Sequence, residues 1–308
     1  MDPGRQDQRV RAAAFAWLAE QVRLHDDVLP RELLARGFEI EGERVPLVGP
    51  TGIWKPRLIP EIPLTVTTVY RGPYRDGFGP DGLLWYRYRG TDPEHRDNLG
   101  LRKALLKRVP LIYFHGVVEG KYLAAWPVFV VGDRPAELTF IVAVDEVKYA
   151  SAGFPQAERT GEPLAAVRRA YVTAVVKQRL HQRVFRERVL EAYRKQCALC
   201  HLRHDELLDA AHIIPDSEPG GEPVVSNGLA LCKFHHAAYD RQFLAVRPDY
   251  SVEVRREILE EEDGPMLLHG LQELHHTRIC LPHRPSLRPD PDRLARRYEM
   301  FLKESAAR

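Results

Sequence analysis

Between Gln196 and Asp240 the chain reads QCALCHLRHDELLDAAHIIPDSEPGGEPVVSNGLALCKFHHAAYD, and this stretch holds three of the four cysteines and five of the thirteen histidines. Cys197 and Cys200 form a C-x-x-C knuckle, and Cys232 and His235 form a C-x-x-H knuckle about thirty residues later. Three sulfurs and one imidazole suit a tetrahedral zinc ion, with a softness that carboxylates do not match. Four protein ligands close the site, so the ion is structural and pins a small fold. His212, Asn227 and His236 fall outside that set and are the candidates for chemistry. They supply an imidazole that accepts a proton near neutral pH, an amide that can orient it, and a second imidazole suited to a metal ion.

In this order the three residues resemble the HNH (ββα-metal) nuclease family, with His212 as the first H, Asn227 as the N and His236 as the last H. His236 stands nine positions after Asn227, and Asp240 follows one helical turn later, which fits a family helix carrying metal ligands on one face. The resemblance implies phosphodiester hydrolysis with one divalent cation, Mg²⁺ or Mn²⁺, serving the phosphate charge and the leaving oxygen. It implies His212 as general base on a strand, Asn227 holding the loop and the imidazole, and His236 ligating the catalytic metal at a helix start. Many members place Asp or His immediately before the base, where this chain has Ala211. On a strand, side chains at 209 and 211 share a face. Asp209 and Asp240 are therefore the candidate oxygen donors, with a plain surface role as the other reading of Asp209. His201 and His204 read as solvated loop residues. The competing reading of the whole stretch is an inert zinc ribbon with His212 in a strand core.

These groups need elements to hold them. Residues 165–193 have a helical pattern, with Val172, Val175, Val176, Leu180, Val184, Val189 and Leu190 as apolar members, and lead into Cys197. After Asp240 come strand-like runs at 243–246 and 251–255 and a basic helix over about 292–304. At the other end, Val10, Ala14, Trp17, Leu18 and Val22 predict a helix over 7–24, and a short helix at 31–35 follows Pro30. From Phe38 to about Val147 short β-type runs alternate with Gly and Pro, at 64–70, 83–88, 110–114, 122–126, 128–131 and 138–144. Such spacing predicts a small barrel or rolled sheet. A helical pattern at 98–108 interrupts it and is expected to plug one end. The small, polar, Pro- and Gly-containing run 149–164 reads as a linker. The expected organisation is α+β: an N-terminal helical segment (1–37), a β-barrel domain (38–148), the linker (149–164) and a zinc-stabilised domain (165–308).

At 308 residues the chain accommodates two domains, and 44% hydrophobic with 29% charged residues describes a globular protein. Net charge is only +2, but 179–195 and 288–297 are basic and 260–263 acidic. Cysteines in metal spacing argue against a disulfide framework and for a reducing compartment, with Cys280 left free. No signal-peptide core and no apolar run of about eighteen residues is present. The expected setting is the cytoplasm, with no membrane span.

The barrel region carries its own chemistry. Aromatic and basic residues interleave through Trp85-Tyr-Arg-Tyr-Arg-Gly-Thr-Asp92, His95-Arg-Asp-Asn98, Leu101-Arg-Lys-Ala104, Pro110-Leu-Ile-Tyr-Phe-His-Gly116 and Tyr122, a mixture suited to stacking on bases and clamping phosphates. The order Tyr-x-Gly, Asp-Asn-x-x-Leu, Pro-Leu-x-x-Phe-x-Gly, Tyr resembles the SRA domain over roughly residues 45–145. That family is a PUA-like β-barrel that flips a modified cytosine out of duplex DNA. The family's Gly-Gly pair is absent, since Thr91-Asp92 follows Gly90. The resemblance implies Tyr88 as a stacking residue. Tyr74 is the natural opposite face, and Asp76 or Asp81 can accept a hydrogen bond from the cytosine N4 amino group. The plainer reading makes these aromatics barrel core, with Tyr86 and Tyr88 on one face and Trp85 on the other. An SRA-like reader joined to an HNH module resembles the modification-dependent (type IV) restriction endonucleases of bacteria. It implies cleavage of double-stranded DNA bearing 5-methylcytosine or 5-hydroxymethylcytosine, by a homodimer because one HNH site cuts one strand. The alternatives are an HNH endonuclease with a different or no modification preference, and a catalytically silent zinc-stabilised DNA reader.

Overall fold

The structure is a computed structural model that describes residues 3–25, 27–70, 77–79, 83–144 and 180–306. The expected linker 149–164, the first half of the 165–193 helix, and Tyr74, Asp76 and Asp81 lie outside the described residues. The chain divides into two compact units, Met1–Leu180 and His181–Arg308. No helix among the described residues is long and apolar enough to cross a membrane.

In the first unit, α1 (Pro3–Leu24) buries Val10, Ala14 and Leu18, one stripe at four-residue spacing. That stripe meets Leu29, Leu34, Phe38, Val45 and Leu47, together with Ile112, Phe114, Tyr122 and Trp126 from the sheet beneath. Arg11 anchors the helix from within. Its guanidinium pairs with Asp7 and donates to the carbonyls of Ile62, Pro63 and Pro110, so the buried charge is fully engaged. Next come β1 (Val28–Pro30), α2 (Arg31–Arg36), β2 (Phe38–Ile40) and β3 (Glu43–Val45).

An eight-stranded sheet forms the body of this unit. Its strands are β1, β4 (Ile53–Trp54), β5 (Thr65–Thr68), β6 (Gly77–Phe78), β7 (Leu84–Arg87), β8 (Leu111–Val118), β9 (Lys121–Arg134) and β10 (Thr139–Val144). They run in the order β4-β5-β8-β9-β10-β7-β6, with β1 added beside β9. Strands β5 and β7 stand four places apart in that order, yet the Tyr86 hydroxyl lies 3.4 Å from the Thr67 carbonyl. The sheet is therefore curled into a half-barrel. Helix α3 (Arg96–Lys107) packs against β9.

One expectation needs correction. The runs 122–126 and 128–131 are not two strands but parts of the single fourteen-residue β9. Pro127 was the apparent break. It sits at a bulge, where Leu111 pairs Val128 but Tyr113 already pairs Ala125, and β10 ends opposite Val128. A residue without an N–H costs no ladder bond there.

Helical residues 180–192 (α4) lead into the second unit, followed by β11 (Leu208–His212), β12 (Gly228–Cys232) and α5 (Lys233–Asp240). Then come β13 (Leu244–Val246), β14 (Val252–Val254), α6 (Arg256–Glu260), α7 (Pro265–Gly270) and α8 (Pro291–Ala306). Phe185 and Val189 of α4 join Ala211, Leu229, Leu231, Tyr239 and Leu294 in one core. At the head of β12 a Cβ on Gly228 would stand 2.5 Å from Val189 and 2.9 Å from Phe185. Only glycine lets α4 press this close to the hairpin.

Candidate active site and metal centre

Strands β11 and β12 pair antiparallel, with Leu208 opposite Cys232 and His212 opposite Gly228. One end of this hairpin thus carries a metal-type sulfur and the other carries the candidate base. At the sulfur end the Cys197–Cys200 turn is tied to β12 by Ala198 N–H donating to the Ala230 carbonyl at 2.7 Å. Cys232 closes β12 in extended backbone and α5 begins at the next residue, so His235 comes round within the first turn. The ligand atoms of Cys197, Cys200, Cys232 and His235 lie within 4.8 Å of one another. His235 Nδ1 stands 3.2 Å from the Cys232 sulfur and 3.6 Å from that of Cys197. Its Nε2 lies 2.7 Å from the Gly270 carbonyl, which fixes the proton there and leaves Nδ1 as the ligating nitrogen.

Burial opposes charge on His235, but the Cys197 and Cys232 sulfurs and the Gly270 carbonyl outweigh it and hold its pKa at about 10. The Cys200 and Cys232 thiols push Cys197 well below the ordinary thiol range. The Cys197 and Cys232 sulfurs in turn push the Cys200 thiol up, so Cys200 and His235 hold protons that a metal ion must displace. The donor set fits a structural metal and leaves no open position.

At the next residue of α5, His236 sits between two carboxylates. Its Nδ1 is 3.5 Å from Asp209 Oδ2 and its Nε2 is 3.2 Å from Asp240 Oδ2. Asp209 and Asp240 therefore do not converge on one point; the imidazole separates them, and a cation on either edge meets one of the two. On either edge, the imidazole and one hard carboxylate oxygen could hold Mg²⁺ or Mn²⁺. The contacts to Asp209, then Asp240, raise the His236 pKa to about 9 against the effect of burial. At pH 7 the metal-free imidazole thus holds a proton that a ligated cation must displace. Mn²⁺ binding is expected to release about one proton at pH 7 and to tighten as pH rises toward 9. Calorimetry in buffers of different ionisation enthalpy measures that release; proton-neutral binding would remove His236 from the ligand set.

His212 closes β11 with its ring stacked on Phe185, centroids 4.0 Å apart at 19°. Nε2 is buried and has no hydrogen-bond partner among the described residues. Burial lowers the His212 pKa, and the neighbouring His236 lowers it further, against Asp216, Asp240 and Asp209. The ring is accordingly neutral at pH 7, the state a base requires.

Asn227 is fully buried, and its amide is spent on backbone. Oδ1 accepts from Ile214 N–H at 2.9 Å, while Nδ2 donates to the carbonyls of Ile214 and Glu222 at 3.0 and 3.2 Å. It locks the loop two residues beyond His212, as expected, but among the described residues it does not also bond the imidazole. Arg186 of α4 was not foreseen. It donates to the carbonyls of Asp205 and Leu208 and lies 3.6 Å from Asp209 Oδ1. Arg297 of α8, on the far oxygen of Asp240, was missed as well. Both are single arginines in basic runs, and spacing gives no sign of which one turns inward.

In the first unit the stacking role expected of Tyr88 is corrected to core packing. The residue is 1% exposed, and its ring stacks on Phe140 with centroids 4.5 Å apart. Its hydroxyl engages Asp133 and Arg102. Alternation along β7 turns Leu84, Tyr86 and Tyr88 inward and Arg87 outward, with Trp85 half-buried under Arg134. The neighbouring Asp97-Asn98 pair is also structural. Asn98 accepts from Arg89 N–H and donates to the carbonyls of Arg89 and Asp92, pinning the turn after Tyr88.

Residues 197–247 match the family model described as HNH endonuclease. No curated protein matches the chain. Among solved structures the chain is similar to one titled "Modification dependent TagI restriction endonuclease", at 16% identity and a TM-score of 0.30, covering 78% of this chain and 82% of that one.

Proposed function

We propose that this protein is a metal-dependent endonuclease that hydrolyses phosphodiester bonds of double-stranded DNA. The observation that carries the reading is the placement of a neutral, ring-stacked His212 beside the Asp209–His236–Asp240 group, on a hairpin and helix within the stretch that matches HNH endonucleases. A base on this ring acts through Nδ1, because Nε2 is buried. His236, with Asp209 or Asp240, would hold a divalent cation, which when bound neutralises charge on the scissile phosphate and the leaving oxygen. His212 accepts the proton of the attacking water. Asn227 keeps the loop beyond the base in place, and Arg186 ties Asp209 to the end of α4. Cys197, Cys200, Cys232 and His235 hold zinc as a structural ion.

The first unit, in this reading, supplies the choice of target, a modified cytosine. The support is the sequence order from Tyr88-x-Gly90 to Tyr122, together with a curled sheet of the kind that order implies. With Tyr88 in the core, the base contacts fall to Tyr74, Asp76 and Asp81. A double-strand break needs two such sites, which makes a homodimer the working unit.

The test is cleavage of matched duplexes containing cytosine, 5-methylcytosine or 5-hydroxymethylcytosine with Mg²⁺ or Mn²⁺. Cutting confined to a modified duplex is the expected result. Equal cutting of all three would remove the modification reading and keep the nuclease, whereas binding without any cutting would leave a silent reader.

A further inference from the structure

We propose that Arg297, on α8 and well beyond the family-matched stretch, is a positioning residue that fixes the Asp240 carboxylate against His236 and so sets the site's affinity for its divalent cation. The inference rests on the cation-binding part of the function proposed above. Arg297 is 6% exposed. Its Nη2 donates to the Tyr239 carbonyl at 3.1 Å, and its guanidinium carbon stands 4.8 Å from the centre of the Tyr239 ring. The same group lies 3.8 Å from Asp240 Oδ1, while Asp240 Oδ2 faces His236 Nε2 at 3.2 Å. Each oxygen of the carboxylate thus has a cationic or N–H neighbour, one from α8 and one from α5.

Asp240 is otherwise an exposed side chain at the last turn of a short helix, free to sample several rotamers. Ordering it beforehand removes that entropy cost from metal binding. If the cation lies on the Nε2 edge, Asp240 is a ligand held ready. On the Nδ1 edge, Asp240 instead accepts the Nε2 proton and fixes the tautomer. Arg297 serves both arrangements.

The rest of α8 fits a strut with this task. Arg293, Arg296 and Arg297 share one face by their three- and four-residue spacing. Arg293 donates to Glu222 Oε2 at 2.8 Å and Arg296 to the Pro219 carbonyl at 2.6 Å. The Glu222 carbonyl in turn accepts from Asn227. One helix face therefore holds both the loop beyond His212 and the end of α5 that carries Asp240.

The bland account is that Arg297 merely caps α5 at its carbonyl end. The experiment separates the two with zinc-loaded full-length protein, comparing wild type, Arg297→Met and Arg297→Lys. Free Mn²⁺ is followed by electron paramagnetic resonance, and thermal stability and cleavage against Mn²⁺ concentration are measured alongside. The methionine variant is expected to bind Mn²⁺ roughly 10–100-fold more weakly, with its cleavage loss largely recovered by added Mn²⁺; the lysine variant, which keeps the charge, regains most of the affinity. A methionine variant that melts earlier but binds Mn²⁺ as wild type does would overturn the proposal. If the methionine variant does not fold, Arg297→Gln carries the test: weakened Mn²⁺ binding without a matching loss of melting temperature supports the link, and unchanged binding refutes it. Should wild type bind Mn²⁺ yet cut no duplex, the nuclease reading fails while the Mn²⁺ affinities still decide the role of Arg297.

Discussion

His212→Ala is expected to slow duplex cleavage by roughly 10²–10⁴-fold while leaving DNA binding intact, the loss that follows removal of a general base. The expectation rests on where the ring sits. His212 is at the end of β11, stacked flat on Phe185, with one nitrogen buried and without a hydrogen-bond partner among the described residues. Its pKa is lowered mainly by burial. The sign of the pH dependence follows: below that depressed pKa the ring is protonated and cannot accept a proton, so at saturating Mn²⁺ cleavage falls on the acid side and is flat through pH 7. The alanine variant loses that acidic limb along with its rate. Single-turnover cleavage across pH 5–8 measures both, and an alanine variant that cuts at the wild-type rate would exclude His212 as the base. Asn227→Ala gives a useful contrast. Among the described residues its amide bonds only the backbone of Ile214 and Glu222, so its activity loss should travel with a loss of stability, whereas that of His212→Ala should not.

The two asparagines show what the sequence could and could not carry. Asn227 and Asn98 both stand in motifs read for their chemistry, and both are buried amides that zip a loop backbone shut. Residue type and spacing located them, because a buried amide with three backbone partners is hard to replace. Spacing cannot tell an amide aimed at a substrate from one aimed at its own chain. The metal-type cluster was legible for the opposite reason: sulfur and imidazole at knuckle spacing have few other uses, and the four ligand atoms do converge. The carboxylates were legible as neighbours of His236 but not as a geometry, since period alone does not reveal an imidazole standing between them. Tyr88 failed at a similar point. Alternation put it on one face with Tyr86, but only the curl of the half-barrel decides that this face is the packed interior. Partners far along the chain, such as Gly270 for His235 and Arg186 for Asp209, left no trace in local pattern because tertiary folding alone brings them in.

Stripping the structural metal is expected to unfold the second unit while the first survives. Sites of this donor type contribute on the order of 10 kcal/mol in small zinc modules, comparable with the entire stability of an ordinary domain. The ligands here join four segments: the 197–200 turn, the end of β12, the start of α5 and, through His235, the carbonyl end of α7. Cys197 is fully buried in the same core as Ala211, Leu229 and Tyr239, so the ion is not an ornament at the rim. Without it, the sulfurs and an imidazole with a pKa near 10 must be packed together by hydrophobic contacts alone. A Cys232→Ser variant, or the wild type after a strong zinc chelator at pH 7, should therefore show two thermal transitions: one unshifted for the first unit and one far lower for the second. Cleavage should vanish with it even at saturating Mg²⁺, because His212 and His236 hang on the same hairpin and helix as the ligands. Acid should mimic the chelator, since protonating the thiolates and His235 competes with the ion, and affinity drops as pH falls. Elemental analysis of the untreated protein, expected to give one zinc per chain, sets the reference. A fully stripped protein that keeps a single, unshifted transition would show that the second unit stands on its hydrophobic core, and the cluster would lose its structural role.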